Sequence, residues 1–253
     1  MQSRAMVRHA ARNAVLLFTA SEFSRSEIVR RYRIAAQKIV VLSNGVDRRR
    51  FHPGDEGREA LARHGLAAAG YLLMVGRLEP RKNHANLLRA YAALPPSSPP
   101  LVIVGQRDYG YEGLARLVDS LRIADRVRFL ETVGDADLPA LLRHASVFVY
   151  PSMAEGFGMP VIEAMASGVP VVTSHCTALS EVAGDAAELI EPGDPASIAG
   201  AVQRIMGNAQ WRNELRGRGL ERAARFDWAV SARRLLEAYE NHFSRRSALR
   251  TTS

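Results

Sequence analysis

The 253-residue chain has one cysteine, Cys176, so no disulfide can close within it, and the composition suits a reducing compartment. Aromatic residues make up only 7% of the chain, and no zinc-finger spacing, RNP motif or basic zipper accompanies them. The usual nucleic-acid modules are therefore missing, and no nucleic-acid partner is expected. GxGxxG and GxxxxGK(S/T) strings are absent too, which argues against a dinucleotide dehydrogenase or a P-loop nucleotidase. No apolar run approaches the ~18 residues that span a bilayer. The opening Met1 to Arg12, with arginines at 4, 8 and 12, is not followed by the apolar stretch of a signal peptide. A soluble, cytoplasmic protein is the expectation. Its 47% hydrophobic content, with 19 Gly and 12 Pro, fits one large or two small globular domains and excludes disorder or collagen.

The net charge of +8 is unevenly spread. Residues 1–50 hold eleven Lys/Arg against three Asp/Glu and residues 211–253 hold ten against five, whereas residues 51–210 hold thirteen against eighteen. Basic ends flank an acidic middle. They read as solvated arginine-rich helices, or as surfaces for an anionic partner such as the inner face of a membrane.

From residue 70 onward, short β-branched runs alternate with helix-period segments, the pattern of βαβ units around a parallel sheet. The runs are Leu72–Gly76, Leu101–Gly105, Val127–Leu130, Ser146–Tyr150, Pro170–Ser174 and Ala187–Ile190. Most are continuously apolar rather than alternating, so helices should cover both faces. Helices are predicted at His84–Leu94, Glu112–Leu121, Ala136–His144, Pro160–Ser167 and Ala196–Met206. The expected class is a doubly wound parallel α/β sheet. Toward the N-terminus, Ala14–Ala20 reads as a buried strand, Ser21 as the cap of a helix reaching Tyr32, and Lys38–Leu42 as a strand ending in an Asn44-Gly45 turn. At the other end Asp227 caps a helix from Trp228 to about Phe243, whose Trp228, Leu235, Leu236, Tyr239 and Phe243 form one apolar stripe.

Two motifs carry the chemistry. In EGFGMPVIE (Glu155–Glu163), Gly156 and Gly158 clear a loop after a strand, and Pro160 suits a first helical turn. Free amides around Gly158 and Met159 would make an anion site. Glu163, placed in the first turn, could accept hydrogen bonds from vicinal ribose hydroxyls, with Glu155 facing the other end of a ligand. The same pattern, taken alone, also suits a Glu163 that only complements the helix dipole and a solvated Glu155. In GRLEPRKN (Gly76–Asn83), Arg77 and Lys82 sit on a strand-to-helix loop at the edge where open α/β sheets bind ligands. Two fixed cations there could hold a diphosphate. The bland alternative is a solvated basic loop, because Arg81 lies between them and cannot point the same way as both. Asp135-Ala136-Asp137 is better read as a helix cap than as a metal site. His144 and His175 lack zinc-type spacing, and Cys176 reads as a small buried filler.

Together these motifs, with SEFSRSEI, KIVVLSNGVD, VRFL, LSEVAGDAAELIEPGDP and the late FDW, resemble the retaining glycosyltransferases of family 4, whose fold is GT-B. The resemblance implies a Rossmann-like donor-binding half of such an enzyme. Residues 1–45 would be the end of an acceptor domain, 46–225 the nucleotide-sugar domain, and 226–253 a crossover helix and tail. It further implies that Arg77 and Lys82, with Gly76 opening their loop and the amides of Gly158 and Met159, take the donor diphosphate. Glu163 would hold the ribose, the main chain at Phe129 and Leu130 would line the base, and Glu155 and Phe157 would lie beside the sugar. No metal or other cofactor is implied; the nucleotide-diphosphate sugar is a co-substrate.

About a domain's worth of such an enzyme is expected to be missing before Met1. The chain alone would then bind donor, a mannosyl donor among the options, yet lack an acceptor site for a sugar or lipid-linked substrate. Its orphaned apolar surfaces would drive self-association or pairing with an acceptor-domain chain. Rival readings are a non-catalytic nucleotide-sugar module, a subunit of a split transferase, and a GT-B epimerase.

Overall fold

The computed structural model describes residues 2–66, 70–107 and 111–251. Along the first part of the chain lie α1 (Gln2–Asn13), β1 (Leu17–Thr19), α2 (Glu22–Tyr32) and β2 (Ile39–Val41). Then follow α3 (Arg58–Arg63), β3 (Leu72–Val75), α4 (His84–Ala92), β4 (Leu101–Val104), α5 (Tyr111–Ser120) and β5 (Val127–Leu130). Next come α6 (Leu138–Arg143), β6 (Val147–Tyr150), α7 (Met159–Ala166), β7 (Val171–Ser174), α8 (Thr177–Ala183) and β8 (Ala187–Ile190). The chain closes with α9 (Pro195–Gly207), α10 (Ala209–Ala223) and α11 (Trp228–Thr251). These elements fold as two compact units: residues 46–225, and the two chain ends, 1–45 with 226–253.

The larger unit is built on a six-stranded sheet in the order β5-β4-β3-β6-β7-β8, every pair parallel. Leu72, Met74, Leu101, Ile103, Val147 and Val149 share one core cluster with Leu87 and Leu88 of α4 and Ile198 and Val202 of α9. The alternate residues Leu73, Val102, Phe148 and Val171 are as deeply buried, so both faces are covered. α4 packs on α5 and α9, while α7 packs on α6, α8 and α10. The chain runs outward from β3 to β5 in one direction and from β6 to β8 in the other. The switch point therefore lies between β3 and β6, where loops diverge and leave a crevice above the strand ends.

The six expected strands of this unit match within a residue or two, while α1, α3, α8 and α10 were not foreseen. α10 contains Gly217 and Gly219, poor helix formers; Gly219 is buried against the Met165 side chain, where a methyl would already touch it. α8 starts at Thr177 with φ +61, an outlier for a β-branched residue, and its N-cap Cys176 makes no capping bond. Cys176 is half-buried rather than a buried filler.

The smaller unit pairs β1 with β2 in parallel, joined across α2, whose N-cap Ser21 accepts from the Ser24 amide at 3.0 Å. Ala11, Ile34 and Ile39 form its small core. The expected buried strand at Ala14–Ala20 shrinks to three residues, with Val15 and Phe18 exposed, because a two-stranded sheet buries little. No turn forms at Asn44-Gly45; Gly45 instead lies where a Cβ would overlap Trp228. Asp227 caps the last helix by accepting from the Ala229 amide at 2.7 Å, and the Ser231 hydroxyl donates to the Ser43 carbonyl. Tyr239 packs on Phe18 at 5.7 Å, yet Trp228, Leu236, Tyr239 and Phe243 remain exposed. No helix among the described residues is long and apolar enough to cross a membrane.

One close approach tests this packing. A Cβ on Gly105, after β4, would overlap the Gly76 carbonyl oxygen after β3, whereas one on Gly113 in α5 meets nothing within 4 Å. Gly105→Ala should lose about 1–3 kcal/mol by overpacking. Gly113→Ala should gain roughly 0.5–1 kcal/mol from helix propensity. Urea unfolding midpoints of the two variants should move in opposite directions.

Candidate functional site

The loops leaving β3 and β6 interlock above the switch point. After β3, Pro80–Lys82 forms one 3-10 turn and Asn83 adopts φ 65, ψ 34 before α4 begins. The Asn83 side chain donates to the Pro151 carbonyl at 3.0 Å and the Pro192 carbonyl at 2.6 Å. From the other loop, the Met153 amide and the Ser152 hydroxyl both donate to the Arg81 carbonyl, at 2.8 and 3.1 Å. The two loops are therefore braced by bonds to main-chain carbonyls before their charged side chains meet.

Those side chains converge on one oxygen. Glu155 Oε1 accepts from Lys82 Nζ at 2.6 Å, Ser152 Oγ at 2.8 Å, Tyr150 OH at 2.9 Å, and pairs with Arg81 Nη1 at 3.0 Å. Lys82 Nζ also donates to Tyr150 OH at 2.5 Å and lies 5.0 Å from the centre of that ring. Lys82 and Glu155 side chains are only 10% and 11% exposed, so neither ion is well hydrated. Burial works against ionisation of Glu155, but hydrogen bonds from Lys82 and Ser152, with the Lys82 charge, hold the carboxyl below its ordinary range. Burial and then the Glu155 charge push the Tyr150 phenol upward, so it stays protonated and can donate. Burial drives the His84 imidazole down to about 4, which keeps a second positive charge away from Lys82.

The second carboxylate behaves differently. Glu163 is the fifth residue of α7, one turn deeper than the first-turn position expected, and is half-buried. Among the described residues its carboxylate takes no hydrogen bond; Arg50 and Asp135 act on it only through space. Burial raises it from 4.5 to about 6. At the N-terminus of α7, Gly158 has φ +109, and a Cβ there would overlap Leu179. The amides of Gly158 and Met159 have no protein acceptor among the described residues, as helix geometry leaves them.

The structure thus brings Lys82 and Glu155 into contact. It sets Glu163, Gly158 and Met159 on the element after β6, and Gly76 and exposed Arg77 on the loop after β3, all at the same sheet edge. Gly76 lies beneath the Lys82 side chain, where a Cβ would touch Cδ at 3.5 Å. Phe157 is buried in the loop. Phe129 and Leu130 end β5, the sheet's edge strand two places from β3, roughly 10 Å away at ~4.8 Å per strand. Arg81 corrects the expectation that it must point elsewhere, because the tight turn and its long side chain let it reach the same carboxylate as Lys82. Tyr150 and Ser152 were missed. Tyr150 stood in a strand read only for apolarity, although a tyrosine at a strand's C-terminal end is a polar group delivered to the site. Asp137 occupies the N-cap of α6 without capping it; its carboxylate instead pairs with Arg63 at 2.5 Å and His64 at 2.9 Å.

The raised Glu163 value gives a sign that can be tested. Folding penalises the ionised form, so the cost is complete above pH 6 and is relieved as pH falls toward 4.5. Glu163→Gln should therefore raise Tm at pH 8, and the gain should shrink as pH falls through 6. A gain that is independent of pH would show that Glu163 is solvated.

Comparison with known proteins agrees with this geometry. The family model "Glycosyl transferases group 1" matches residues 63–222. An O-antigen chain mannosyltransferase B from Escherichia coli is 39% identical over 90% of this chain and 61% of its own length. A D-inositol 3-phosphate glycosyltransferase from Frankia alni is 33% identical over 93% of this chain and 60% of its own. The chain thus spans about three fifths of these curated relatives and corresponds to their C-terminal part. Among solved structures, sucrose-phosphate synthase from Thermosynechococcus elongatus superposes with a TM-score of 0.84 at 28% identity, over 96% of this chain and 62% of that one. Anabaena HepE, crystallised with UDP and glucose, gives a TM-score of 0.84 at 23% identity, over 94% of this chain and 66% of that one, a likeness of fold. A parallel sheet with this switch point, and a family match over more than half the length, place the chain in the group 1 glycosyl transferases, with the Rossmann-like fold of GT-B enzymes.

Proposed function

We propose that these residues form the donor-binding half of a metal-independent, retaining glycosyltransferase. The observation that carries the reading is the meeting of Lys82 and Glu155 over the switch point, on the same sheet edge as the open amides of α7. A diphosphate would take charge-assisted bonds from Lys82 and Arg77 and from the amides of Gly158 and Met159, each worth about 1.5–3 kcal/mol. Glu163, whose carboxylate takes no hydrogen bond among the described residues, would accept from the ribose hydroxyls. The ends of β4 and β5, including Phe129 and Leu130, would flank the base, and Glu155 and Phe157 the transferred sugar. Cations on the leaving diphosphate stabilise charge that grows as the bond to the sugar breaks. The mannosyltransferase relative supports a mannosyl donor and a role in surface-polysaccharide synthesis, and the basic ends suit a lipid-linked acceptor at the inner membrane face. An acceptor surface would come from the part of the enzyme these residues do not span, so the 253 residues alone should bind donor without steady transfer. Without acceptor alignment the reaction loses an effective molarity that can reach ~10⁵ M.

Calorimetric titration with UDP, GDP and ADP sugars tests the reading. One base should be preferred. Lys82→Ala should weaken the diphosphate sugar at least about tenfold while sparing the bare nucleoside; Glu163→Ala should weaken both. No binding to any of the three, or variants indistinguishable from the parent, would overturn the assignment. In an enzyme with its acceptor half, Lys82→Ala or Arg77→Ala should lower turnover by ~10²–10³.

A further inference from the structure

At the opposite edge of the same sheet lies a second cavity of about 370 Å³ that the donor reading does not use. Ser146 and Pro170, the residues just before β6 and β7, form one wall. Arg143, Arg212 and Arg216 supply three guanidinium groups around it. Four-residue β6 separates it from the loop that carries Glu155, on the order of 13 Å at ~3.3 Å per residue.

The three arginines are unequally occupied. Arg143, with a side chain only 5% exposed, forms the floor: it donates to the carbonyls of His52 and Glu56, lies 3.2 Å from His52 Nε2, and pairs with the Glu56 carboxylate at 3.2 Å. Arg216 spends Nε on the Gly168 carbonyl at 2.9 Å. Arg212 makes one long bond, from Nη1 to the Met206 carbonyl at 3.5 Å. Neither Arg212 nor Arg216 has a carboxylate partner among the described residues. They stand four apart on α10, where like charges repel by a few tenths of a kcal/mol unless something lies between them. Both Nη groups of Arg216, and Nε and Nη2 of Arg212, are left to face the cavity or water. The volume falls within the range of small-molecule sites, about 300–1,000 Å³.

We propose that this cleft is a second anion site that takes a phosphomonoester. Planar guanidinium forks match the oxygens of a tetrahedral dianion, two net positive charges remain after Glu56 offsets Arg143, and the cleft has room for more than the phosphate itself. This assignment is independent of the donor reading at the other edge.

Heteronuclear NMR of the whole chain tests it, with inorganic phosphate and a hexose 6-phosphate titrated at constant ionic strength against chloride. The amides of residues 209–216 and the Trp211 indole should shift and saturate near millimolar phosphate. Arg212→Gln combined with Arg216→Gln should raise the midpoint at least tenfold. Should that pair not fold, Arg212→Gln alone, which removes one weak protein contact, should raise it about threefold. Tighter saturation by the hexose phosphate would identify a metabolite site, and equal saturation a site for the phosphate group itself; both support the proposal. Shifts that stay linear, that chloride reproduces, or that are confined to Gly158 and Met159 would overturn it.

Discussion

The buried pair between Lys82 and Glu155 is the constraint on which the site depends. Two ions removed from water at 10% and 11% exposure carry a desolvation cost that their attraction offsets only if the remaining valences are filled. Here they are filled at one carboxylate oxygen: Tyr150, Ser152 and Arg81 join Lys82 on Oε1, and Tyr150 lies against the ammonium by hydroxyl and by ring. Such a cluster is weak evidence of stabilisation and good evidence of a held geometry. Every recorded bond to the Glu155 carboxylate falls on Oε1, so on the donor-binding reading proposed above a diphosphate would exchange with that one oxygen at Lys82 rather than strip a bare cation of water.

The larger unit is organised to hold this cluster rigid. β3 and β6 are central strands, paired at Leu72 with Val147 and at Leu73 with Phe148 and buried on both faces, so the loops above them start from fixed positions. Asn83, Ser152 and the Met153 amide then tie loop to loop. Glu163 is handled in the contrary way: it is half-buried behind Gly158 on α7, and among the described residues its carboxylate takes no hydrogen bond, so on the proposed reading its capacity to accept from hydroxyls is unspent.

Much of this was legible in the sequence because it rests on local signals. Continuous apolar runs located the six strands, and glycine with proline at Gly158 and Pro160 marked a loop entering a helix. Tertiary facts were not legible. That Arg81 would join Lys82 depended on one 3-10 turn, and that Asp137 would leave its cap depended on Arg63 and His64, more than seventy residues away. The helices α8 and α10 lacked the usual marks: the first begins on a strained Thr177, and the second carries two glycines, of which Gly219 serves its fit against Met165 of α7. Val15 and Phe18 look like core in sequence, but a two-stranded sheet has too little cover to bury them.

The smaller unit joins residues 1–45 to residues 226–253, with Ser43 held by Ser231 and Phe18 by Tyr239. Residues 1–45 are translated before residues 46–225, and the helix that completes their unit only after them. The larger unit can close while synthesis continues; residues 1–45 must wait, their apolar side chains bare, for residues 226–253. A chain cut short before α11 would thus be damaged first about two hundred residues upstream, in residues 1–45.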